Sequence, residues 1–463
     1  MSHLLISAAH KSSGKTTITI GLCAALAESG SQVQPFKKGP DYIDPMWLGR
    51  AAGHACHNLD FYTMNKQEII DTVVRYSQHA DISIIEGNKG LYDGLDLDGS
   101  NSNAALASLV HAPVVLVLDA RGMTRGIAPL ILGYQAFDPN INIAGVILNQ
   151  LGGQRHETKL RSVIEHYTNI SVVGAVYRNP EMSIEERHLG LMPSNEDDSA
   201  DQKIGQIRDL IKQQIDLNKI RAIAASAPAL PEPDSNSGPV LDSVPADIRI
   251  GVVRNDAFGF YYPDDLLALK NAGAELVFID TIREHNLPDI DGLFIGGGFP
   301  ETRMKQLANN TTMREQIKQA IENGLPTYAE CGGLMYLSRS LQWQGEKAEM
   351  VGVIAADTVM HSRPQGRGYI QLAETQQHPW LKMEPAPDKI ISGHEFHYSA
   401  LENVDPSIQY AYRVIRGTGV DGQNDGIVYN NLLACYAHLR DTQSNHWASR
   451  FVQFSKTCKD KPV

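Results

Sequence analysis

Residues 4–17 read LLISAAHKSSGKTT, an apolar run followed by a small polar turn that ends in Gly-Lys-Thr. The next residues, 18–27, are amphipathic, so the whole stretch predicts a β-strand, a phosphate-binding loop and an α-helix. Backbone N–H groups of such a loop, together with the positive end of the helix, bind phosphate oxygens. The leading position of the motif, usually glycine, is Ala9 here. We still predict a nucleotide site, because strand and helix flank the turn as phosphate binding requires.

The chemistry of this loop assigns roles to its residues. The ammonium group of Lys15 is predicted to reach the β- and γ-phosphates of ATP, and the Thr16 hydroxyl to bind Mg²⁺. The other predicted nucleotide-binding residues of the loop are Ser12, Ser13, Gly14 and Thr17. The sequence therefore predicts a reaction that uses ATP and magnesium.

The composition describes an ordinary folded protein of two or three domains. The chain has 463 residues and a net charge of −12, which argues against nucleic acid as a partner. Its five cysteines are scattered and odd in number, which suits a reducing cytoplasm better than a disulfide framework. The sequence shows neither a signal-peptide pattern nor an apolar run near the ~20 residues of a membrane helix. We expect a cytoplasmic protein without a membrane partner.

Two stretches of the chain alternate apolar runs with longer mixed segments, which predicts an α/β fold with mostly parallel sheets and helices on both faces. The first stretch, 1–220, is predicted to be the ATP-dependent domain, and the second, 248–445, a further α/β domain. Residues 221–247 are rich in Pro, Ala and Ser and predict a linker, and 446–463 are predicted to be a tail. The predicted strands are 4–8, 32–36, 82–86, 114–119, 144–149, 172–176, 248–253, 275–279, 292–295 and 326–329.

Two further loops follow predicted strands of the first domain, FKKGPDYID at 36–44 and EGNKGLYDG at 86–94. Ligands of open α/β sheets bind at the carboxyl ends of the strands, so both loops should lie beside the phosphate loop. Phosphoryl transfer needs hard oxygen ligands for Mg²⁺ and cations that screen the nucleotide. We predict that Asp44 and Glu86 bind Mg²⁺ with Thr16, and that Lys37 contacts the nucleotide.

A second candidate site lies in PTYAECGGLM at 326–335, which predicts a strand, a sharp turn and a helix with Cys331 at the turn. Small neighbours tolerate the strained backbone of such a turn, and the helix N-terminus favours a thiolate. The base should be a histidine brought close by folding, and His438, after the last β-type run, is the best candidate. Backbone N–H groups of Gly297, Gly298 and Gly332 are predicted to form an oxyanion hole.

Three segments resemble signatures of the cobyrinic acid a,c-diamide synthase family: KKGPDYID at 37–44, EGNKGLYDG at 86–94 and ERHLGLMP at 186–193. The resemblance covers nearly the whole chain. It implies that ATP activates the a and c acetate groups of a tetrapyrrole acid as acyl phosphates, which glutamine-derived ammonia then amidates. It also implies an N-terminal domain like dethiobiotin synthetase and a homodimer. The residues to which it assigns roles are Asp41, Asp44, Glu86 and Asp93 in catalysis and Asn149 against adenine.

The second domain resembles a class I glutamine amidotransferase, with L-glutamine as its substrate. Such domains usually have a glutamate two residues after the histidine, and that position is Arg440 here. The departure resembles the cobyrinic and cobyric acid synthase branch, which works with a Cys–His pair.

Two alternatives stay open at this point. A related branch amidates sirohaem or nickel-sirohydrochlorin by the same chemistry, and hydrogenobyrinic acid is a further possible acceptor. From another class, partitioning ATPases share the phosphate-loop fold and act as ATP-driven switches. Those switches lack a cysteine at a strand–helix turn, so we expect an enzyme.

Overall fold

The computed structural model describes residues 1–187, 190–231, 246–380 and 390–460. The chain divides into two compact units, Met1–Gly238 and Pro239–Val463. Within the described residues, none of the helices combines the length and the apolar character needed to cross a membrane.

The first unit is built on a seven-stranded sheet in the order β3-β2-β4-β1-β5-β6-β7, and every neighbouring pair is parallel. The strands are β1 (His3–Ala8), β2 (Val33–Lys38), β3 (His57–Leu59), β4 (Ile82–Glu86), β5 (Val114–Asp119), β6 (Ile143–Leu151) and β7 (Ser171–Tyr177), with a small pair β8 (Glu186–Arg187) and β9 (Gly190–Leu191). The helices are α1 (Lys15–Glu28), α2 (Ile43–Ala52), α3 (Lys66–Ser77), α4 (Asn103–Leu109), α5 (Ile127–Phe137), α6 (Gln154–Tyr167), α7 (Ala200–Gln214) and α8 (Leu217–Ala225).

The central strands are short, continuous apolar runs, as expected of strands covered on both faces. In β5, for example, Val115 and Leu116 are fully buried. Because β1 lies between β4 and β5, and β2 is the other neighbour of β4, the loops after β1, β2 and β4 meet at one edge of the sheet. The three predicted nucleotide-site loops therefore converge there.

The second unit contains a nine-stranded sheet in the order β12-β10-β13-β15-β24-β23-β22-β19-β20. It is parallel from β12 to β24 and antiparallel from β24 to β20. A four-stranded sheet, β17-β16-β18-β21, and the pair β11-β14 accompany it.

The strands of this unit are β10 (Ile248–Val253), β11 (Phe258–Phe260), β12 (Ala274–Ile279), β13 (Gly292–Ile295), β14 (Gly297–Gly298), β15 (Thr327–Glu330), β16 (Ser338–Trp343), β17 (Glu346–Glu349), β18 (Ile354–Met360), β19 (Gly366–Glu374), β20 (Ile390–His397), β21 (Ser399–Glu402), β22 (Gln409–Arg416), β23 (Asn424–Tyr429) and β24 (Leu432–Cys435). Its helices are α9 (Pro263–Asn271), α10 (Met304–Asn309), α11 (Thr311–Glu322), α12 (Gly332–Leu337) and α13 (Trp447–Lys459).

Two predicted boundaries need correction. The domain end at residue 220 falls inside α8, which is capped by the Asp216 side chain and buries Ile220 and Ala224. The predicted tail, 446–463, contains α13, whose Trp447 and Phe451 are fully buried in the core of the second unit. Local composition did not predict either helix, because both are stabilised mainly by packing of their buried faces against the core. Residues 232–245 of the predicted linker lie outside the described residues.

Candidate active sites

The phosphate loop connects β1 to α1, and its last residue before the helix has a left-handed backbone. Gly14 caps α1 at φ +84°, a conformation that favours glycine. A Cβ atom at this position would lie 2.3 Å from Nδ2 of Asn149, which donates a hydrogen bond to the Ser13 carbonyl at 2.8 Å. The Ser13 hydroxyl in turn donates to the His10 carbonyl at 2.7 Å. The structure thus shows Asn149 supporting the loop, and its predicted adenine contact stays a prediction.

A cluster of buried charges lies at the start of α1. The Thr16 hydroxyl is 2.6 Å from Oε1 of Glu86 and 3.2 Å from Oδ2 of Asp44. The ammonium group of Lys37 forms an ion pair with Asp44 and lies 3.1 Å from Oε1 of Glu86. Glu86 is fully buried and Lys37 nearly so. The folded chain therefore brings together Thr16, Lys37, Asp44 and Glu86, the groups that sequence reasoning assigned to phosphate and metal.

The other two predicted acids occupy the margin of this cluster. Asp41 lies 3.8 Å from the ammonium of Lys37, and its other oxygen accepts the backbone N–H groups of Ile43 and Asp44 at the start of α2. Asp93 is exposed and accepts the backbone N–H of Gly90 at 3.0 Å. A Cβ at Gly90 would lie 2.6 Å from the Ala9 carbonyl, so this turn packs against the beginning of the phosphate loop. The catalytic roles of both acids stay predictions.

Burial and mutual attraction set the protonation of the cluster. Burial lowers the pKa of Lys15 and raises that of Glu86. For Lys37 the carboxylates outweigh burial and raise its pKa, and for Asp44 the ammonium of Lys37 outweighs burial and lowers its pKa. The ammonium groups of Lys15 and Lys37 interact with the carboxyl groups of Asp41, Asp44 and Glu86, and burial together with the charge of Asp44 raises the pKa of Asp41 to about 7.

These residues fit a magnesium ion. Oε2 of Glu86 is buried and has no hydrogen-bond partner within the described residues, although a buried carboxylate oxygen normally has one. The described residues contain no complete cage of three or more Asp, Glu, His or Cys ligands. Mg²⁺ does not require such a cage, because it binds through one or two carboxylates, water and substrate phosphates.

In the second unit, Cys331 lies between β15 and α12 with a strained backbone. Its φ of +45° and ψ of −98° are unusual for a side chain other than glycine. Its N–H donates to the Cys435 carbonyl at 2.7 Å, which ties the turn to β24. A Cβ at Gly333 would lie 2.2 Å from the Ile295 carbonyl, so only glycine allows α12 to pack this close to β13. This is the geometry expected of a nucleophile turn.

His438 lies within hydrogen-bonding reach of the cysteine side chain, and its role as the base stays a prediction. Burial lowers the pKa of His438, but hydrogen bonds to Cys331 and Glu330 outweigh burial and raise it to about 10. Backbone hydrogen bonds in both directions join His438 to His394, and the two rings stack with centroids 4.8 Å apart. The side chain that should receive the thiol proton is therefore held firmly in place.

The predicted oxyanion-hole glycines lie together around this pair. A Cβ at Gly297 would lie 2.5 Å from Cε1 of His438, and one at Gly332 would lie 2.9 Å from the backbone nitrogen of Gly298. Gly298 itself has φ +158°, and a Cβ there would lie 2.0 Å from the Ala257 carbonyl. At Gly297 the backbone can approach the histidine this closely only because the residue has no side chain.

Comparisons with known proteins match each half of the chain to a family model. The family model of the CobQ/CobB/MinD/ParA nucleotide binding domain matches residues 5–191, and that of the CobB/CobQ-like glutamine amidotransferase domain matches residues 249–445. A protein of Magnetococcus marinus named cobyrinate a,c-diamide synthase is 44% identical over 97% of this chain and 96% of its own. Proteins of the same name from Methanosarcina acetivorans and Archaeoglobus fulgidus are each 39% identical, over 97% and 95% of this chain and 94% of their own.

The chain belongs to the cobyrinate a,c-diamide synthase family. Membership of this family confirms the predicted fold class, with a nucleotide-binding domain followed by a glutamine amidotransferase domain. It also confirms the prediction of a ligase. The ATP-driven switch is therefore set aside.

In this member of the cobyrinate a,c-diamide synthase family, the residue two positions after His438, where class I domains usually carry a glutamate, contacts other side chains. Arg440 is buried, lies 3.1 Å from Oδ2 of Asp264 and stacks over the ring of Tyr262. The carboxylate beside His438 is instead Glu330, which sequence reasoning missed. An acid directly before the nucleophile, at the end of a buried strand, was the signal that could have revealed it.

Proposed function

We propose that the protein uses ATP and glutamine to amidate the a and c acetate carboxylates of cobyrinic acid, or of hydrogenobyrinic acid, in cobalamin biosynthesis. The names of the relatives support the acceptor. The observation that carries the proposal is the hydrogen-bonded pair of Cys331 and His438 at a strained strand–helix turn, in the same chain as a phosphate loop with its buried carboxylates.

In the glutaminase half, the sulfur of Cys331 attacks the side-chain amide carbon of glutamine. His438 accepts the thiol proton and returns it to the departing nitrogen, so that ammonia leaves and a glutamyl thioester remains. Water then hydrolyses the thioester to glutamate and restores the thiol. The N–H groups of Gly297, Gly298 and Gly332 stabilise the oxyanion that forms in each step.

In the synthetase half, the phosphate loop and Lys15 hold the triphosphate of ATP while Lys37 offsets negative charge beside it. Mg²⁺, held by Thr16, Asp44 and Glu86, would neutralise charge on the phosphates. The acceptor carboxylate attacks the γ-phosphorus, which gives an acyl phosphate and ADP. Ammonia then displaces phosphate and leaves the amide.

The cytoplasm is the proposed setting, because the five cysteines are free and a thiol nucleophile must stay reduced. We also expect a homodimer, as the family resemblance implies. Light scattering of the full chain, with and without ATP, measures the oligomeric state.

Replacement of Cys331 by alanine tests the division of labour. Glutamine-dependent amidation should become undetectable in C331A, whereas amidation with added ammonium chloride should continue at the wild-type rate. Loss of both activities in a folded C331A protein would contradict the proposal.

The acceptor is tested by incubating the protein with ATP, glutamine and each tetrapyrrole in turn, followed by counting amides by mass spectrometry. We expect two amides on cobyrinic or hydrogenobyrinic acid. Two amides on sirohaem or nickel-sirohydrochlorin, with none on cobyrinic acid, would show that the protein performs the same chemistry on the acceptor of the related branch.

A further inference from the structure

Glu330 ends β15 directly before the nucleophile and is almost completely buried. Its Oε2 atom lies 3.3 Å from Nδ1 of His438. Its Oε1 atom accepts the Tyr328 hydroxyl at 2.6 Å and the backbone N–H of Leu439 at 2.9 Å. One oxygen is therefore anchored to the strand and to the residue after His438, which leaves the other directed at the imidazole.

We infer that Glu330 is the positioning residue for His438 in glutamine hydrolysis, in place of the carboxylate that class I domains usually carry two residues after the histidine. The inference rests on the proposed roles of Cys331 and His438. Glu330 acts through the imidazole and need not touch glutamine.

The tautomer of the imidazole explains why a carboxylate is needed. A neutral imidazole has one N–H donor and one acceptor nitrogen, and a carboxylate is only an acceptor. A carboxylate opposite Nδ1 therefore keeps the proton on Nδ1 and makes Nε2 the nitrogen that accepts the proton of the thiol. Once that proton has moved, the negative charge of Glu330 also stabilises the imidazolium.

The other groups around the ring cannot replace this carboxylate. His394 stacks on His438, but burial places the pKa of His394 well below its ordinary value, so that ring is neutral at pH 7. Arg440 is a cation engaged with Asp264 and Tyr262. Cys331 is the proton donor itself. Glu330 is thus the anion that raises the pKa of His438 besides the cysteine.

The experiment measures glutaminase kcat, KM and their pH dependence for the full-length wild type and for E330Q, E330D, Y328F and C331A. In E330Q the amide oxygen can still accept from Tyr328 and Leu439, but an amide nitrogen faces Nδ1 and favours the wrong tautomer. We expect kcat and kcat/KM to fall together by about 100-fold. Y328F removes one donor to the same carboxylate and keeps its charge, so its glutaminase activity should stay within a few-fold of wild type.

The pH profile separates positioning from structural support. The imidazolium that returns a proton to the departing nitrogen is present below the pKa of His438, about 10, and is lost as the pH rises through it. Removing the negative charge lowers that pKa, so activity in E330Q should decline at lower pH than in wild type. E330D keeps the charge and should retain the wild-type alkaline limb with an intermediate kcat. Amidation with added ammonium chloride should be unchanged in all of these variants.

Three results would overturn the inference. E330Q could keep wild-type glutaminase activity, it could lose activity without any shift of the alkaline limb, or its ammonia-dependent amidation could fall in parallel. C331A distinguishes failure of the proposed function itself, because glutaminase activity that survives in C331A would remove the Cys–His pair on which the inference rests.

Discussion

The two sites both lie where parallel strands end, yet one is formed mainly by charged side chains and the other mainly by backbone. The nucleotide site gathers charged side chains from the loops after β1, β2 and β4, and buries them against one another. The cysteine site depends on backbone: a strained turn at Cys331, and glycines whose missing side chains leave room for His438. An ion pair between Glu330 and His438 completes the cysteine site.

This difference predicts different sensitivities. The nucleotide site should respond most to changes of charge, because its groups compensate one another in a buried environment. The cysteine site should respond most to added volume, because its atoms are already in close contact. Four substitutions test this contrast.

K15A removes a buried cation that is predicted to contact the phosphates of ATP. We expect amidation to fall about 1,000-fold with either glutamine or ammonium chloride as nitrogen source, because the charge on the transferred phosphoryl group loses its partner. Glutaminase activity, measured as glutamate release at saturating glutamine, should remain. A parallel loss of glutamate release would show that removing this charge also impairs the glutaminase half, so that the two activities are not independent.

E86Q keeps the shape of the buried side chain and removes its charge. Ammonia-dependent amidation should fall about 100-fold, and the magnesium concentration for half-maximal rate should rise, because a carboxylate ligand is lost. E28Q is the matched control, since Glu28 forms ion pairs with Lys212 and Arg208 at the surface. These surface ion pairs should contribute less than about 1 kcal/mol to the free energy of unfolding. Equal magnesium dependence in E86Q and wild type would exclude Glu86 as a ligand.

G297A adds one methyl group, which would lie 2.5 Å from Cε1 of His438. Displacement of the ring by about 1 Å should lower glutaminase kcat by up to about 100-fold and leave ammonia-dependent amidation intact. The control is G133A, in α5, where a Cβ meets no atom within 4 Å. Wild-type glutaminase activity in G297A would argue against the close contact between loop and histidine.

N149A removes the amide that supports the Ser13 carbonyl. Loss of one hydrogen bond should raise the KM for ATP by about 10-fold with little change in kcat. Replacement of the exposed Asn140 by alanine serves as the control. An unchanged KM in N149A would mean that the phosphate loop holds its shape without this contact.

Much of this architecture was predictable from sequence, for identifiable reasons. The apolar runs that became β1, β4 and β5 are continuous because both of their faces are covered. The short edge strand β3, which reads HNL, was not predicted, because three residues, two of them polar, are too few to carry a periodic signal. The predicted domain end at residue 220 divides helix α8, and α13 falls in the predicted tail, because the buried faces of both helices are recognisable only once the core exists.

The sequence by itself determined that the chain has a phosphate loop and a cysteine at a strand–helix turn. Both depend on a few neighbouring residues whose backbone preferences are local, such as Gly14 and the glycines after Cys331. The charges that surround Lys37 and the carboxylate that faces His438 depend on tertiary contacts. Glu330 and His438 are 108 positions apart in sequence, and they meet because β15 pairs with β24. Distances across a folded sheet are set by strand order, which no local stretch of residues specifies.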